Sequence, residues 1–145
     1  VTPGFLVAVL LWDDFCARSI EQKDTEDDPA FTTLKTQQSY VAIPRRFGTF
    51  AREVWLIQER LHKRNPRSLD RLATHKRFRA GYDFLSLQAE SNEKIAPIAD
   101  WWTAFQTADE SERQILISQL PKTPRKRRRN RNQKKTAEII QGAGS

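Results

Sequence analysis

Apolar residues recur along this chain at intervals of three and four positions, and only five glycines occur among its 145 residues. This spacing collects apolar side chains on one side of an α-helix, whereas a half-buried strand would alternate them. Proline and glycine cluster at a few points, where breaks between helices are expected. The pattern therefore predicts an all-α protein, a compact bundle of about five to six helices.

The first helix is predicted over residues 3–20, because Thr2 suits the N-cap and Pro3 suits the first helical position. Its apolar side chains lie nearly all round the helix, which is typical of a helix at the centre of a bundle. An acidic linker over residues 21–29 separates it from a weaker helix over residues 30–42. That second helix is expected to turn three apolar residues inward, namely Phe31, Leu34 and Val41.

The clearest amphipathic pattern predicts a third helix over residues 46–63. At about 100° per residue, one stripe of this segment is apolar and the opposite side is basic. Pro44 favours a break before the helix, and Asn65 followed by Pro66 ends it. The apolar stripe comprises Phe47, Phe50, Val54, Ile57 and Leu61, and the basic side comprises Arg45, Arg52, Arg60 and Lys63.

A short helical turn over residues 68–73 leads to a helix over residues 76–90. Phe84 and Leu87 point away from the main apolar face of that helix, so it is expected to be buried on more than one side. The main face comprises Phe78, Tyr82, Leu85 and Ala89.

A further helix is predicted over residues 95–107, with apolar residues at helical spacing. Asp109 followed three positions later by Glu112 predicts a capping box for a last helix, which would end near Leu120.

The segment over residues 122–135 contains nine basic residues, no acidic residue and no large apolar side chain. Such a segment cannot bury enough surface to fold, and its natural counterpart is a phosphate polyanion. We therefore predict a helical body over residues 1–120 and a disordered tail rich in Arg and Lys over residues 121–145. The tail residues predicted to contact RNA are Arg125, Lys126, Arg127, Arg128, Arg129, Arg131, Lys134 and Lys135.

A second basic segment lies inside the predicted body, because residues 45–79 contain eleven basic residues and three acidic ones. A solvated helix face is the commonest fate of such charges. Here, however, carboxylates for pairing are few, and most of the cations are Arg, which suits bidentate phosphate contact and stacking on bases. We therefore predict nucleic-acid contact through Arg45, Arg46, Arg52, Arg60, Lys63, Arg64, Arg67, Lys76, Arg77 and Arg79.

The aromatic residues of the body allow two interpretations. They could stack on single-stranded bases, but their helical spacing favours packing in the core. Trp55 lies beside the apolar stripe of its helix and is the best candidate for an exposed stacking residue. The set comprises Trp55, Tyr82, Trp101, Trp102 and Phe105.

No catalytic or metal-binding pattern is recognisable in the sequence. One Cys and two His form no ligand cluster of the usual spacing, and no glycine-rich phosphate loop is present. We expect no catalytic residue, no metal ligand and no cofactor in this chain. A single cysteine, Cys16, cannot form an internal disulfide, which favours a reducing, cytoplasmic location. The longest apolar run is too short to span a membrane, so no membrane partner is expected.

Several stretches keep a recognisable order along nearly the whole chain: residues 2–12 (TPGFLVAVLLW), residues 41–61 (VAIPRRFGTFAREVWLIQERL), residues 74–90 (THKRFRAGYDFLSLQAE), Asp100-Trp101-Trp102 and Phe105-Gln106. Together they resemble the C-terminal region of bacterial poly(A) polymerases, which belong to the nucleotidyltransferase superfamily. The most specific points of this resemblance are the RFRAGYD sequence over residues 77–83, the Ile43-Pro44 pair and the Trp101-Trp102 pair.

The resemblance implies the helical, RNA-binding body of an enzyme that adds AMP units to RNA 3′ ends. That enzyme would use ATP and two Mg²⁺ ions held by carboxylates of a separate catalytic head. No residue here matches the Gly-Ser and Asp-x-Asp motif of the head, so no catalytic residue is carried over. The resemblance implies two partners, RNA and the protein's own catalytic head, and places RNA contact at Arg45, Arg46, Arg77, Arg79 and the tail.

A protein-interaction module is the alternative. In this interpretation, the body docks on the catalytic head or on an RNA-decay or ribosomal partner, and the tail binds polyanions in general. The acidic segments on both sides of residues 45–79 suit that interpretation. An independent enzyme is disfavoured by the missing chemistry.

Overall fold

A computed structural model of the protein describes residues 2–122. These residues contain helices and no strand, which confirms the all-α prediction. The prediction of a disordered tail falls, from residue 123 onward, outside the described residues. The helices are α1 (Pro3–Leu10), α2 (Trp12–Glu21), α3 (Pro29–Gln38), α4 (Arg45–Lys63), a short 3₁₀ helix (Pro66–Ser68), α5 (Leu69–Ala73), α6 (Phe78–Ser91), α7 (Ala96–Thr107) and α8 (Glu110–Ser118).

The start of the first helix is as predicted, since Thr2 Oγ1 accepts a hydrogen bond of 3.3 Å from Phe5 N. Its extent was predicted wrongly, because the chain turns at Leu11 and forms two helices. The turn brings α2 against the rest of the bundle, where the Trp12 ring lies 5.2 Å from that of Phe84. Helix α1 is also not central: it packs on α4 through small residues, and Leu10 is 78 % exposed.

Helix α3 begins as expected near residue 30 but ends at Gln38. The prediction that Phe31 and Val41 face inward is wrong, because these side chains are 61 % and 63 % exposed. Val41 lies beyond the end of the helix, and α3 approaches its neighbours through the small buried residues Ala30 and Thr33.

Helix α4 lies at the centre of the bundle and contacts α1, α3 and α6. Its predicted stripe is confirmed, with Val54, Ile57 and Leu61 fully buried and the two phenylalanines half-buried. Together with α6, this helix contributes to two apolar clusters, because opposite sides of both helices are covered. One cluster includes Ala8, Ala51, Val54, Trp55 and Phe84, and the other includes Ile57, Leu61, Leu72, Phe78, Leu85, Trp102 and Phe105.

The distance between α4 and α6 is set by a glycine. A Cβ atom added to Gly81 would overlap Cγ2 of Ile57. Beside this contact, Nε2 of the buried Gln58 donates a hydrogen bond of 3.0 Å to the main-chain oxygen of Gly81. Because no side chain separates the two backbones here, the start of α6 is held close to the middle of α4.

Helix α7 covers the other side of α4, and α8 packs on α7. Trp102 Nε1 donates a hydrogen bond of 2.9 Å to the main-chain oxygen of Leu61, whose carbonyl lies in the final turn of α4 and lacks a partner within that helix. The predicted capping box is present: Glu112 N donates to Asp109 Oδ1 at 2.8 Å, and Asp109 N donates to Glu112 Oε2 at 2.9 Å. Within residues 2–122, no helix has the length and apolar character needed to cross a membrane.

Candidate nucleic-acid interface

The three tryptophans of the aromatic set lie in the core, as their spacing favoured: Trp55, Trp101 and Trp102. Trp55, the best candidate for an exposed stacking residue, is also in the core, because this side chain is 2 % exposed. Its Nε1 donates a hydrogen bond of 2.9 Å to the main-chain oxygen of Ala8, and its ring stacks on Phe15 at 4.7 Å. The first two helices cover this side of α4, which the pattern within α4 alone did not indicate.

The basic side of α4 is exposed along the whole helix, and we call it the α4 ridge: Arg45, Arg52, Arg60 and Lys63. Its first and last members are the end residues of a 19-residue helix, so the ridge is about 27 Å long. Arg52 Nη2 lies 2.9 Å from Oδ2 of Asp28, the N-cap residue of α3. Lys63 pairs with Glu59 one turn earlier. Close to the start of the ridge, the guanidinium carbon of Arg46 lies 4.8 Å from the centroid of the Phe47 ring.

A second group of cations lies where α6 begins, and we call it the α6 cluster: Lys76, Arg77 and Arg79. Arg77 is the N-cap residue, and its main-chain N donates a hydrogen bond of 3.0 Å to His75 Nδ1. Arg79 Nε lies 3.1 Å from Asp83 Oδ1, one turn further along the helix.

Glu53 of α4 is the counter-ion of this cluster. Its carboxylate accepts a hydrogen bond from Arg77 Nε and lies 3.2 Å from Lys76 Nζ. The hydrogen bond from Arg77 lowers the pKa of Glu53, assisted by Lys76 and opposed by partial burial. Since one carboxylate serves both Lys76 and Arg77, one of these two positive charges remains without a counter-ion.

The α6 cluster borders an open groove between α1, α4 and α6 with a volume of about 640 Å³. Phe5, Phe50, Ala80 and Leu87 supply its apolar surface. The polar lining residues are Thr2, Lys76, Arg77, Arg79, Asp83, Ser86 and Glu90.

Two more of the predicted cations follow the C-terminal end of α4: Arg64 is its C-cap residue, and Arg67 lies in the 3₁₀ helix. Arg64 has a left-handed backbone (φ 44°), and its guanidinium carbon lies 5.5 Å from the centroid of the Trp101 ring. Burial lowers the pKa of Arg64. The pKa of the neighbouring His62 is lowered by burial and by the charge of Arg64, so we expect this histidine to be neutral at pH 7.

The structure brings only part of the predicted set together. The three cations of the α6 cluster share one groove, whereas Arg52 is turned toward α3. The predicted tail residues, from Arg125 to Lys135, lie outside the described residues. Five of the predicted cations form no ion pair with a carboxylate of residues 2–122: Arg45, Arg46, Arg60, Arg64 and Arg67.

Sequence reasoning did not identify Glu53, Asp83 and Phe50 as parts of this interface. The spacing of Asp83 four positions after Arg79 is a recognisable helical pair. By contrast, Glu53 and Arg77 are 24 positions apart and lie on different helices. In the part of the chain that the structure describes, no group of three or more His, Cys, Asp or Glu could hold a metal ion.

A protein-family model and several known proteins are similar in sequence to this chain. The family model described as "Polymerase A arginine-rich C-terminus" matches residues 21–136. Poly(A) polymerase I of Escherichia coli O157:H7 is 32 % identical over 153 residues, which covers 98 % of this chain and 33 % of that protein. The Salmonella typhimurium protein of the same name is 30 % identical over 154 residues, with the same two coverages. The Haemophilus influenzae protein is 34 % identical over 101 residues, or 66 % of this chain and 22 % of that protein. The chain thus spans about a third of the length of the enterobacterial relatives.

Proposed function

The chain belongs to the polymerase A arginine-rich C-terminus family, and from this premise we propose that it is the RNA-binding, non-catalytic body of a bacterial poly(A) polymerase. One observation supports the proposal above the others: exposed arginines without carboxylate partners among residues 2–122 lie near both ends of α4. An arginine that is free of an ion pair can meet a phosphate without first losing a partner.

In this proposal, the α4 ridge and the α6 cluster hold the phosphate backbone of the RNA. Contacts to phosphates position the strand but read no sequence. The ion pairs of Arg52 and Arg79 are exposed, and exposed pairs contribute about 0–1 kcal/mol each, so phosphates can compete for these guanidinium groups. The tail raises the local concentration of RNA, because its binding releases counter-ions from the polyanion.

The chemistry of adenylate addition belongs, in this proposal, to a catalytic head in the part of the longer relatives that this chain does not match. ATP and Mg²⁺ would bind that head, which is also the protein partner of the body. The chain alone is expected not to extend an RNA 3′ end when it is incubated with ATP, magnesium and oligo(A). Any extension would contradict the assignment of the chemistry to the head.

Fluorescence anisotropy with a labelled single-stranded RNA tests the electrostatic part of the proposal. Several phosphate contacts predict a loss of affinity of about 10³-fold or more between 50 and 200 mM salt. Affinity that is flat over this range would contradict RNA binding through the cationic surfaces.

A set of variants of this 145-residue chain separates the body from the tail. Charge reversal of Arg45, Arg46 and Arg60 to Glu should weaken binding of every RNA sequence, because it removes three unpaired cations of the body. Charge reversal of Lys23, Lys35 and Lys94 to Glu is the matched control, since these three lysines are exposed and lie outside residues 45–79. A third variant keeps the body intact and replaces the nine basic residues between positions 122 and 135 by Gln.

The exposed apolar side of α1 favours a second candidate function, a module that docks on the catalytic head or on another protein. Leu6 and Leu10 are both exposed on this helix, and contiguous exposed apolar surface commonly marks an interface. If this is the main function of the body, charge reversal in the body leaves RNA affinity unchanged, and neutralising the tail abolishes it. The opposite result supports RNA binding by the body.

A further inference from the structure

The charge of the side chains that line the groove beside the α6 cluster changes along its length. The cations Lys76, Arg77 and Arg79 lie at the start of α6, whereas the carboxylates Asp83 and Glu90 follow along the same helix. At 1.5 Å per residue, Glu90 lies about 16 Å further along α6 than Arg79. A phosphate backbone lying along the whole groove would be repelled by the two carboxylates. A strand therefore fits here with a phosphate at the cationic end and with an uncharged part of the nucleotide toward Asp83.

Arg77 offers a fixed surface for that uncharged part. Its guanidinium carbon lies 4.6 Å from the centroid of the Phe50 ring, and Glu53 holds its Nε by a hydrogen bond. Phe50 is itself fixed by α1, since a Cβ added to Gly4 would lie 3.0 Å from the ring. Unpaired bases of RNA stack on arginine guanidinium planes as well as on aromatic rings. A base on Arg77 would also be close to the apolar side chains of Phe5 and Leu87, which line the same groove.

The carboxylate of Asp83 decides which bases suit this position. Ionised carboxylates only accept hydrogen bonds, and the exocyclic amino groups of cytosine, adenine and guanine donate them. Uracil presents a carbonyl oxygen where cytosine has its amino group, and this oxygen would face the carboxylate unfavourably. Asp83 is half-exposed and already oriented by its pair with Arg79.

We propose that this groove is a subsite for one unpaired RNA nucleotide whose base carries an exocyclic amino group. The phosphate of the nucleotide contacts Lys76 and Arg79, the base stacks on Arg77, and the amino group donates to Asp83. The volume of about 640 Å³ lies in the range of small-ligand sites. This inference rests on the proposed RNA-binding function and adds a base preference, which contacts to phosphates alone do not supply.

The test compares the affinities of the full chain for oligo(C) and oligo(U) of equal length at neutral pH and fixed salt. The two pyrimidines resemble each other in ring size but differ in the amino group, so stacking alone discriminates little between them. We expect oligo(C) to bind about tenfold more tightly. The measurement is repeated in the variant of this chain that has Gln at the nine basic tail positions, where the background from phosphate contacts is lower.

Substitutions in the groove test whether Asp83 and Arg77 produce the preference for oligo(C). Asp83→Ala should bring the ratio of the two affinities close to one, whereas Asp100→Ala, which removes an exposed carboxylate on α7, should leave the ratio unchanged. Arg77→Lys keeps the charge but removes the planar surface, so it should weaken both oligonucleotides about equally. Thermal unfolding of each variant checks that its fold is intact.

The outcomes distinguish this inference from the proposed function. Salt-sensitive binding with equal affinity for oligo(C) and oligo(U) overturns the subsite, leaves RNA binding in place, and makes the groove available to a protein segment. A preference for oligo(C) that Asp83→Ala does not change also overturns the assignment to this groove. Absence of RNA binding at any salt concentration overturns both.

Discussion

Glu53 in the middle of α4 accepts a hydrogen bond from the side chain of Arg77, the residue that precedes the first turn of α6. The pair lies next to the close approach of the two helices at Gly81, and it orients the guanidinium group over Phe50. One carboxylate thus connects the packing of the central helices to the position of a cation at the candidate interface. Its removal should affect stability and RNA affinity in opposite directions.

The stability contribution of Glu53 should depend on pH. Its pKa in the folded protein is lowered from the usual 4.5. As the pH falls, the unfolded chain therefore binds more protons than the folded protein does. The contribution is therefore fully present above pH 4.5 and is lost as the pH falls through the folded pKa. Glu53→Gln should lower the free energy of unfolding by about 1 kcal/mol at pH 7, and the difference from wild type should shrink on acidification. Urea unfolding over a pH series measures this. Glu93→Gln replaces an exposed carboxyl group and serves as the control. A stability difference between Glu53→Gln and wild type that does not depend on pH would contradict the pairing of Glu53 with Arg77.

The same variant should bind RNA more tightly. Without the carboxylate, Lys76 and Arg77 have no shared counter-ion, and a phosphate meets one more positive charge. We expect Glu53→Gln to raise the affinity for single-stranded RNA about two- to fivefold, a change equivalent to one exposed ion pair. Anisotropy at about 100 mM salt, well within the sensitive range, measures it. Unchanged affinity in a folded variant would show that these cations do not contact the RNA.

Alanine at Gly81 should destabilise the protein. A Gly-to-Ala change within a helix ordinarily stabilises by about 0.5–1 kcal/mol, but here the new Cβ would overlap Cγ2 of Ile57. Overpacking of this kind costs about 1–3 kcal/mol, so the free energy of unfolding should fall. Gly48→Ala is the matched control on α4, because its nearest atom would be Leu34 Cδ1 at 3.4 Å. Chemical denaturation should find the control neutral or more stable, and the same result for Gly81→Ala would refute the close approach.

Arg64 combines a strained backbone with a contact to Trp101, and two substitutions separate these effects. Both Arg64→Gly and Arg64→Ala remove the contact, which contributes about 0.5–1 kcal/mol. Only glycine relieves the left-handed φ of 44°, which costs other residues about 1–2 kcal/mol. Arg64→Gly should therefore be more stable than Arg64→Ala by about 1 kcal/mol in urea unfolding. Equal stabilities would contradict the left-handed conformation, and reduced RNA affinity of both variants would support Arg64 as a phosphate contact.

The helices that the sequence predicted best are those with a strong periodic pattern and local end signals. The amphipathic stripe of α4 and the capping box of Asp109 and Glu112 were both identified correctly, because each depends on residues within one helix. The first helix was predicted as one unit, because apolar residues continue through Leu11 without a local stop signal. The turn at Leu11 serves contacts with distant helices, which a local pattern does not contain.

The candidate site was predictable as a set of cations but not as an arrangement. Charge counting identified residues 45–79 and their excess of arginine. The partners of these arginines come from other segments: Asp28 lies 24 positions before Arg52, and Glu53 lies 24 positions before Arg77. Trp55 was considered for stacking on bases because the coverage of its side by Ala8 and Phe15 depends on how α1 and α2 pack.

The sequence by itself determined the all-α class, the amphipathic character of α4 and the surplus of positive charge, since these follow from residue spacing and composition. The tertiary structure alone decided which cations are neutralised and which remain available, and it built the groove beside Arg77. The physical reason is distance: an ion pair or a stacked ring acts over only a few ångströms, and helix packing determines which residues meet at that range. In this protein, the absence of a side chain at Gly81 permits the packing that places Arg77 on Glu53.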